Sequence, residues 1–114
     1  MTEGPKIEDV APEQAMALQD GGAVLLDVRE DEEWNAGHAP NAVHVPLAEV
    51  EGSVAKFAGQ TVLAVCRGGG RSAMAAQVLA AGGLDVRNVA GGMTAWMARG
   101  LPVVADDGTT GTIG

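Results

Sequence analysis

Short runs of aliphatic and β-branched residues alternate along the whole chain with helical stretches that end at glycines, and this alternation constrains the fold more than any other feature. Val24–Val28, interrupted only by Asp27, has the length and β-branching of a buried strand; Val43–Val45 is a three-residue strand candidate, Val62–Val65 the clearest strand and Val86–Val89 another. Lys6–Val10 has the length of a short edge strand. Pro12 sits where a first helical turn tolerates a missing N–H, ahead of Glu13–Gln19, and Gly21 and Gly22 stop that helix. Glu30–Ala36 is a short acidic helix ended by Gly37, its negative charge at the start complementing the dipole. Pro40 and Asn41 mark a turn, and Pro46 begins a helical stretch to about Phe57. Ser72–Ala81 is an alanine-rich helix closed by Gly82 and Gly83, and Met93–Arg99 is the last helix, with Gly100 and Pro102 beyond it.

Strands alternating with helices predict an α/β domain: a mostly parallel sheet of about five strands, helices on both faces, right-handed crossovers. With 114 residues, one core and one site are expected. The domain is assigned to residues 6–104, with 1–5 a flexible N-terminus and 105–114 a frayed tail.

The net charge of -8 argues against nucleic acid and anionic membranes as partners, because phosphate contacts need a field of Lys and Arg. No run approaches the roughly 20 apolar residues that span a bilayer. A single cysteine excludes an internal disulfide, and the polar start lacks the basic flank and apolar run of a secretory signal. A cytoplasmic location is the resulting expectation. An acidic chain that uses an anionic substrate needs a local cationic pocket, and two of its seven basic residues, Arg67 and Arg71, flank the only cysteine.

That cysteine stands where the clearest strand runs into a helix, the place where open parallel sheets bind ligands. In the loop Cys66-Arg67-Gly68-Gly69-Gly70-Arg71, the glycines let successive backbone N–H groups turn inward and make a cradle for negative charge. The same dipoles, the helix start and the two arginines favour the thiolate of Cys66 over its thiol. Cys66 is thus expected to be a nucleophile rather than a small buried apolar residue.

Three ordered segments resemble the rhodanese family over nearly the whole chain. Leu25–Glu33 (LLDVREDEE), with Trp34 and Gly37–Ala42 (GHAPNA), resembles the first family signature. Val65–Ser72 (VCRGGGRS) resembles the active-site loop. Val89–Met93 (VAGGM), with Trp96, Gly100, Leu101 and Pro102, resembles the closing one. Where the family often has Ile before the proline and Gly after it, this chain has Ala39 and Asn41.

The resemblance implies a rhodanese-like three-layer sandwich and a thiosulfate sulfurtransferase-type enzyme. Cys66 would take a sulfane sulfur from thiosulfate or a persulfide and hold it as a persulfide. Cyanide or a thiol, including that of a sulfur-carrier protein or a thioredoxin-like reductant, would remove it. Arg67, Gly68, Gly69, Gly70, Arg71 and Ser72 would bind the substrate. No metal or organic cofactor is implied, and the two histidines with Cys66 lack a zinc spacing. With no second cysteine, discharge falls to an external acceptor.

Asp27, Arg29, Glu33 and His38 are read as structural support: Asp27 as a hydrogen-bond acceptor around the loop and neighbouring turns, Arg29 and Glu33 as an ion pair four residues apart, His38 as a turn brace. His44 is a packed or surface residue, Trp34 and Trp96 cover core edges, and Met74, Met93 and Met97 fill core gaps. Four residues separate Cys66 from Arg71, one fewer than the cysteine phosphatase signature, so phosphate would be poorly served and a phosphatase or arsenate-reductase-like enzyme is the rival enzyme class, ranked behind sulfur transfer. The same residues also fit a noncatalytic rhodanese interaction module, or a carrier loaded by a cysteine desulfurase.

Overall fold

The computed structural model describes residues 6–113; the segment 1–5, read from sequence as flexible, lies outside the described residues, as does Gly114. Five parallel strands form one sheet in the order β1-β5-β4-β2-β3: β1 (Glu8–Val10), β2 (Val24–Asp27), β3 (Val43–His44), β4 (Thr61–Val65) and β5 (Asp85–Val89). The α-helices are α1 (Pro12–Asp20), α2 (Asp31–Ala36), α3 (Gly70–Ala81) and α4 (Gly92–Ala98).

The central strand β4 is apolar on both sides, as a strand covered by helices on each face must be. Val62 and Ala64 pack with Leu26, Val28 and Val86 against Ala75, Ala76 and Leu79 of α3. Leu63 and Val65 pack with Leu25 and Val89 against Ala15 of α1 and Met93 and Trp96 of α4. The small alanines let the helices lie close to the sheet, which gives the three layers expected from the sequence.

Most elements keep the residues predicted for them, with ends displaced by one or two positions. β1 is shorter than Lys6–Val10, α2 begins at Asp31 with Glu30 as its N-cap, and α3 starts two residues before Ser72. The stretch after Pro46 departs in type: it forms two 3₁₀ helices, Leu47–Glu49 and Glu51–Phe57. Gly52 and the β-branched Val50 and Val54 weaken α-helix, and the Ser53 hydroxyl and amide both bond the Val50 carbonyl three residues back. Asn41 takes a left-handed conformation, φ 63°, which suits the position where the family often has glycine.

The tail corrects the sequence reading. Residues 105–113 fold back instead of fraying: His38 and Val104 exchange two backbone hydrogen bonds, and Gly111 N–H and Thr112 N–H donate to Val103 and Ala36. The chain returns close enough that a Cβ on Gly111 would lie 2.6 Å from the Cα of Gly37, so the two glycines form the contact. Ile113 packs on the α1/α4 side of the core. Met74 and Met97 are also exposed, at 62% and 43%, on the outer faces of their helices; of the three methionines assigned to the core only Met93 is buried.

Candidate active site

β3 and β4 lie on opposite sides of β2, so the chain reverses its direction across the sheet there, and Asp27 pairs with Val65 at the carboxyl ends of β2 and β4. Cys66 follows directly, at the crevice that such a reversal opens. It is 1% exposed, at the floor of the loop. Gly69 N–H donates to its sulfur at 3.0 Å and the Ser72 hydroxyl lies 3.3 Å from it. Burial pushes the Cys66 thiol up, but the Ser72 hydroxyl and the backbone N–H groups of Ser72, Gly69 and Arg71 outweigh it and hold the thiol below its ordinary range. Of the three loop glycines only Gly69 has a positive φ, 114°, and it is the N-cap of α3.

A second glycine turn holds the loop from below. Met93 N–H donates to the Cys66 carbonyl at 2.8 Å and Thr94 N–H to the Arg67 carbonyl at 3.0 Å. A Cβ on Gly92, φ +60°, would sit 2.4 Å from the Cys66 carbonyl oxygen, so only glycine fits between α4 and the loop. The doublet Gly91-Gly92 is the sequence signal for this support, although from sequence it reads only as a turn.

The two arginines of the loop differ. Arg71 donates to both oxygens of Glu33, at 2.6 and 2.9 Å, and so clasps α2 to the start of α3. Arg67 has no side-chain partner among the described residues and stands between two depressions, one lined by Thr94, Met97 and Ala98, the other by Glu32, Glu33 and Ala36, with Ile113 of the tail in both. Arg67 is therefore the free cation at the rim.

The predicted ion pair between Arg29 and Glu33 is not formed. Arg29 precedes α2, outside the helical geometry that brings residues four apart together, and its guanidinium turns back to Asp27 at 2.8 Å. Both are buried, 1% and 0% exposed. Asp27 also accepts from the Arg29 N–H, and Arg29 reaches the carbonyls of Gly37 and, weakly, Glu33. Asp27 thus acts on the turn after β2 through Arg29, with every oxygen satisfied.

His38 braces the tail: Nε2 meets Asp106 at 2.7 Å, Nδ1 meets the Ala39 carbonyl at 3.1 Å, and its ring stacks on Trp34 at 3.6 Å. His44 donates to the Arg29 carbonyl and also stacks on Trp34, at 4.8 Å. Trp96 is buried and donates to the Pro102 carbonyl. Among the described residues, no group of three or more His, Cys, Asp or Glu side chains is placed to hold a metal ion, and no helix is long and apolar enough to cross a membrane. Sequence reasoning missed Asn88, which is buried and lies 2.6 Å from the Ser72 hydroxyl.

Hydrogen bonding to Arg71 holds the Glu33 carboxyl at about 2, against a burial effect that acts the other way. A carboxyl depressed in the folded chain stabilises it at pH above the unfolded value, 4.5, and loses that contribution as pH falls toward about 2. Glu33→Gln is expected to cost about 1 kcal/mol at neutral pH and to flatten the acid limb of stability between those values. Urea unfolding of both chains at neutral and acid pH checks this; an unchanged acid limb would contradict it.

The family model for the rhodanese-like domain matches residues 11–99. A thiosulfate sulfurtransferase, GlpE, of Pseudomonas savastanoi pv. phaseolicola is 38% identical over 91 residues, 78% of this chain and 86% of that protein. An HTH-type transcriptional regulator of Mycobacterium tuberculosis, Rv0324, is 36% identical over 86 residues, 73% of this chain, and the match spans only 38% of the regulator. The crystal structure of a rhodanese-related protein from Thermoplasma volcanium superposes with a TM-score of 0.79 at 27% identity, covering 87% of this chain and 99% of that one.

Proposed function

Since the chain belongs to the rhodanese-like family, we propose that it is a sulfurtransferase of the thiosulfate sulfurtransferase type, with Cys66 as its catalytic residue. The observation that carries this reading is the sulfur of Cys66 set among inward N–H and O–H donors at the head of α3. The Cys66 thiolate attacks the outer sulfur of thiosulfate; the S–S bond of the donor breaks and sulfite leaves with its electron pair. Cys66 then holds the persulfide, whose charge the loop N–H groups of residues 67–72 stabilise as an oxyanion hole would. Cyanide or a thiol attacks the outer sulfur, and the electron pair returns to Cys66.

The two displacements balance without a metal or organic cofactor, and they divide one difficult transfer into two easier ones. Arg67 orients the anionic donor. Arg71, tied to Glu33, keeps the loop in shape and adds its charge at longer range. A Cβ on Gly68 or Gly70 would meet nothing within 4 Å, so these two loop positions face open space. A sulfur-carrier protein or a thioredoxin-like reductant is a suitable acceptor, and the cytoplasm a suitable location.

Steady-state turnover of thiosulfate with cyanide tests the reading against its nearest chemical rival. Parallel double-reciprocal lines are expected, as in a ping-pong mechanism, together with no turnover of an aryl phosphate, because the loop is one residue short of the phosphatase cradle. Intersecting lines, or hydrolysis of the aryl phosphate, would overturn it.

A further inference from the structure

Asn88 occupies a position where the pattern of β5 calls for an apolar residue. It is the register partner of Ala64, and Val86, two positions earlier on the same face, packs in the core beneath α3. A polar side chain there is 7% exposed and is bonded at both ends of its amide. Its Nδ2 donates to Asp9 on the neighbouring strand β1 at 3.2 Å, and its Oδ1 accepts from the Ser72 hydroxyl at 2.6 Å. An ionised carboxylate only accepts, so Asp9 fixes which end of the amide faces Ser72: the oxygen. Ser72 in turn lies 3.3 Å from the Cys66 sulfur, and four elements, β1, β5, α3 and the end of β4, are joined in one chain of contacts.

The Ser72 hydroxyl has a single hydrogen. It faces Asn88 Oδ1 at 2.6 Å, the Gly69 carbonyl at 3.2 Å and the Cys66 sulfur at 3.3 Å. While that sulfur is neutral, as a thiol or as the inner atom of a persulfide, the amide oxygen is the better and nearer acceptor and holds the hydrogen. When negative charge gathers on the sulfur, the hydroxyl turns to it and gives up the bond to Asn88.

We propose that Asn88 is a positioning residue that sets the strength of the Cys66 thiolate by competing for the Ser72 hydroxyl, with Asp9 holding the amide in the competing orientation. The competition keeps the thiolate from being over-stabilised, and a less stabilised thiolate is the stronger nucleophile. It also gives the Ser72 hydrogen a place to rest while the outer sulfur, rather than the inner one, carries the charge. When an acceptor breaks the persulfide bond, the electron pair returns to the inner sulfur and the hydroxyl swings back to meet it, an interaction made as the charge develops.

The proposal rests for its purpose on Cys66 as a sulfur carrier. Its test does not: the thiolate is titrated by its ultraviolet absorbance with no sulfur donor present, so failure here and failure of that reading are separate results. Asn88→Leu keeps the volume and removes the competing oxygen. The midpoint is expected to fall by a few tenths of a pH unit, and the same change in a Ser72→Ala background is expected to leave the midpoint where Ser72→Ala alone puts it. A merely structural role predicts the reverse, since a disturbed loop loses donors to the thiolate and the midpoint rises. A midpoint unmoved or raised with Ser72 present, or an equal fall without it, overturns the proposal.

Asp9→Ala, at the exposed sheet edge, gives a second reading should the buried change prevent folding. Removing its charge lowers the midpoint in either background, and a larger fall with Ser72 than with Ser72→Ala is the expected result. Equal falls overturn the proposal.

Discussion

Cys66→Ser is expected to reduce sulfur transfer to background while leaving the fold intact. The side chain at the floor of the loop is replaced by one of nearly the same shape, and Gly69 N–H and the Ser72 hydroxyl can donate to an oxygen as they do to the sulfur. A serine hydroxyl is a far weaker nucleophile at neutral pH and holds no persulfide. The loss is therefore one of chemistry, and the thiosulfate–cyanide assay should fall by several orders of magnitude with an unchanged circular dichroism spectrum. Turnover within a few fold of the original chain would remove Cys66 from the reaction, whatever the geometry of its loop.

The largest effect on stability is expected from Asp27→Ala. Asp27 and Arg29 are both buried, and the carboxylate receives four hydrogen bonds from Arg29, one from its backbone and three from its side chain. Removing the acid leaves a guanidinium inside the protein with only the carbonyls of Gly37 and Glu33 to face. An uncompensated buried charge of this kind costs about 3–5 kcal/mol, a large part of the roughly 5–15 kcal/mol typical of a domain. Removing both charges together, as in Asp27→Ala with Arg29→Met, is expected to recover part of that loss, because no charge is then left unpaired. Denaturant unfolding of the three chains decides the point: a single variant no less stable than the double would show that the pair is not what holds the turn after β2.

Much of the architecture was legible because its causes are local. Val62–Val65 is apolar on both faces of a strand, and Gly82 and Gly83 close an alanine-rich helix; neither needs a distant partner to be recognised. Cys66 was legible for the same reason, since strand, glycine loop and helix are adjacent in sequence. What the sequence did not disclose depends on residues far apart. Glu33 is claimed by Arg71, 38 positions away, rather than by Arg29, and no spacing rule anticipates such a partner. The tail folds back because Gly37 and Gly111 can touch and because Asp106 meets His38, 68 positions earlier. Asn88 was invisible because an asparagine near a strand end has no local signature; its meaning comes from Asp9 and Ser72, brought to it by two other elements.

The 3₁₀ segment after Pro46 shows a different limit. Its residues satisfy a helical pattern, and only the sum of weak preferences, Gly52 with Val50, Ser53 and Val54, turns it from α to the tighter form. Met74 and Met97 show a third: composition places methionine inside more often than outside, but on α3 and α4 the alanines and Met93 already fill the inner faces.

The central claim is that Cys66 carries sulfur. Intact-protein mass spectrometry after treatment with thiosulfate and removal of the excess tests it most directly, with the Cys66→Ser chain beside it. The expected result is one added sulfur atom on the original chain, lost on addition of cyanide and never gained by the variant. An original chain that gains no sulfur, or a variant that gains it equally, would contradict the account.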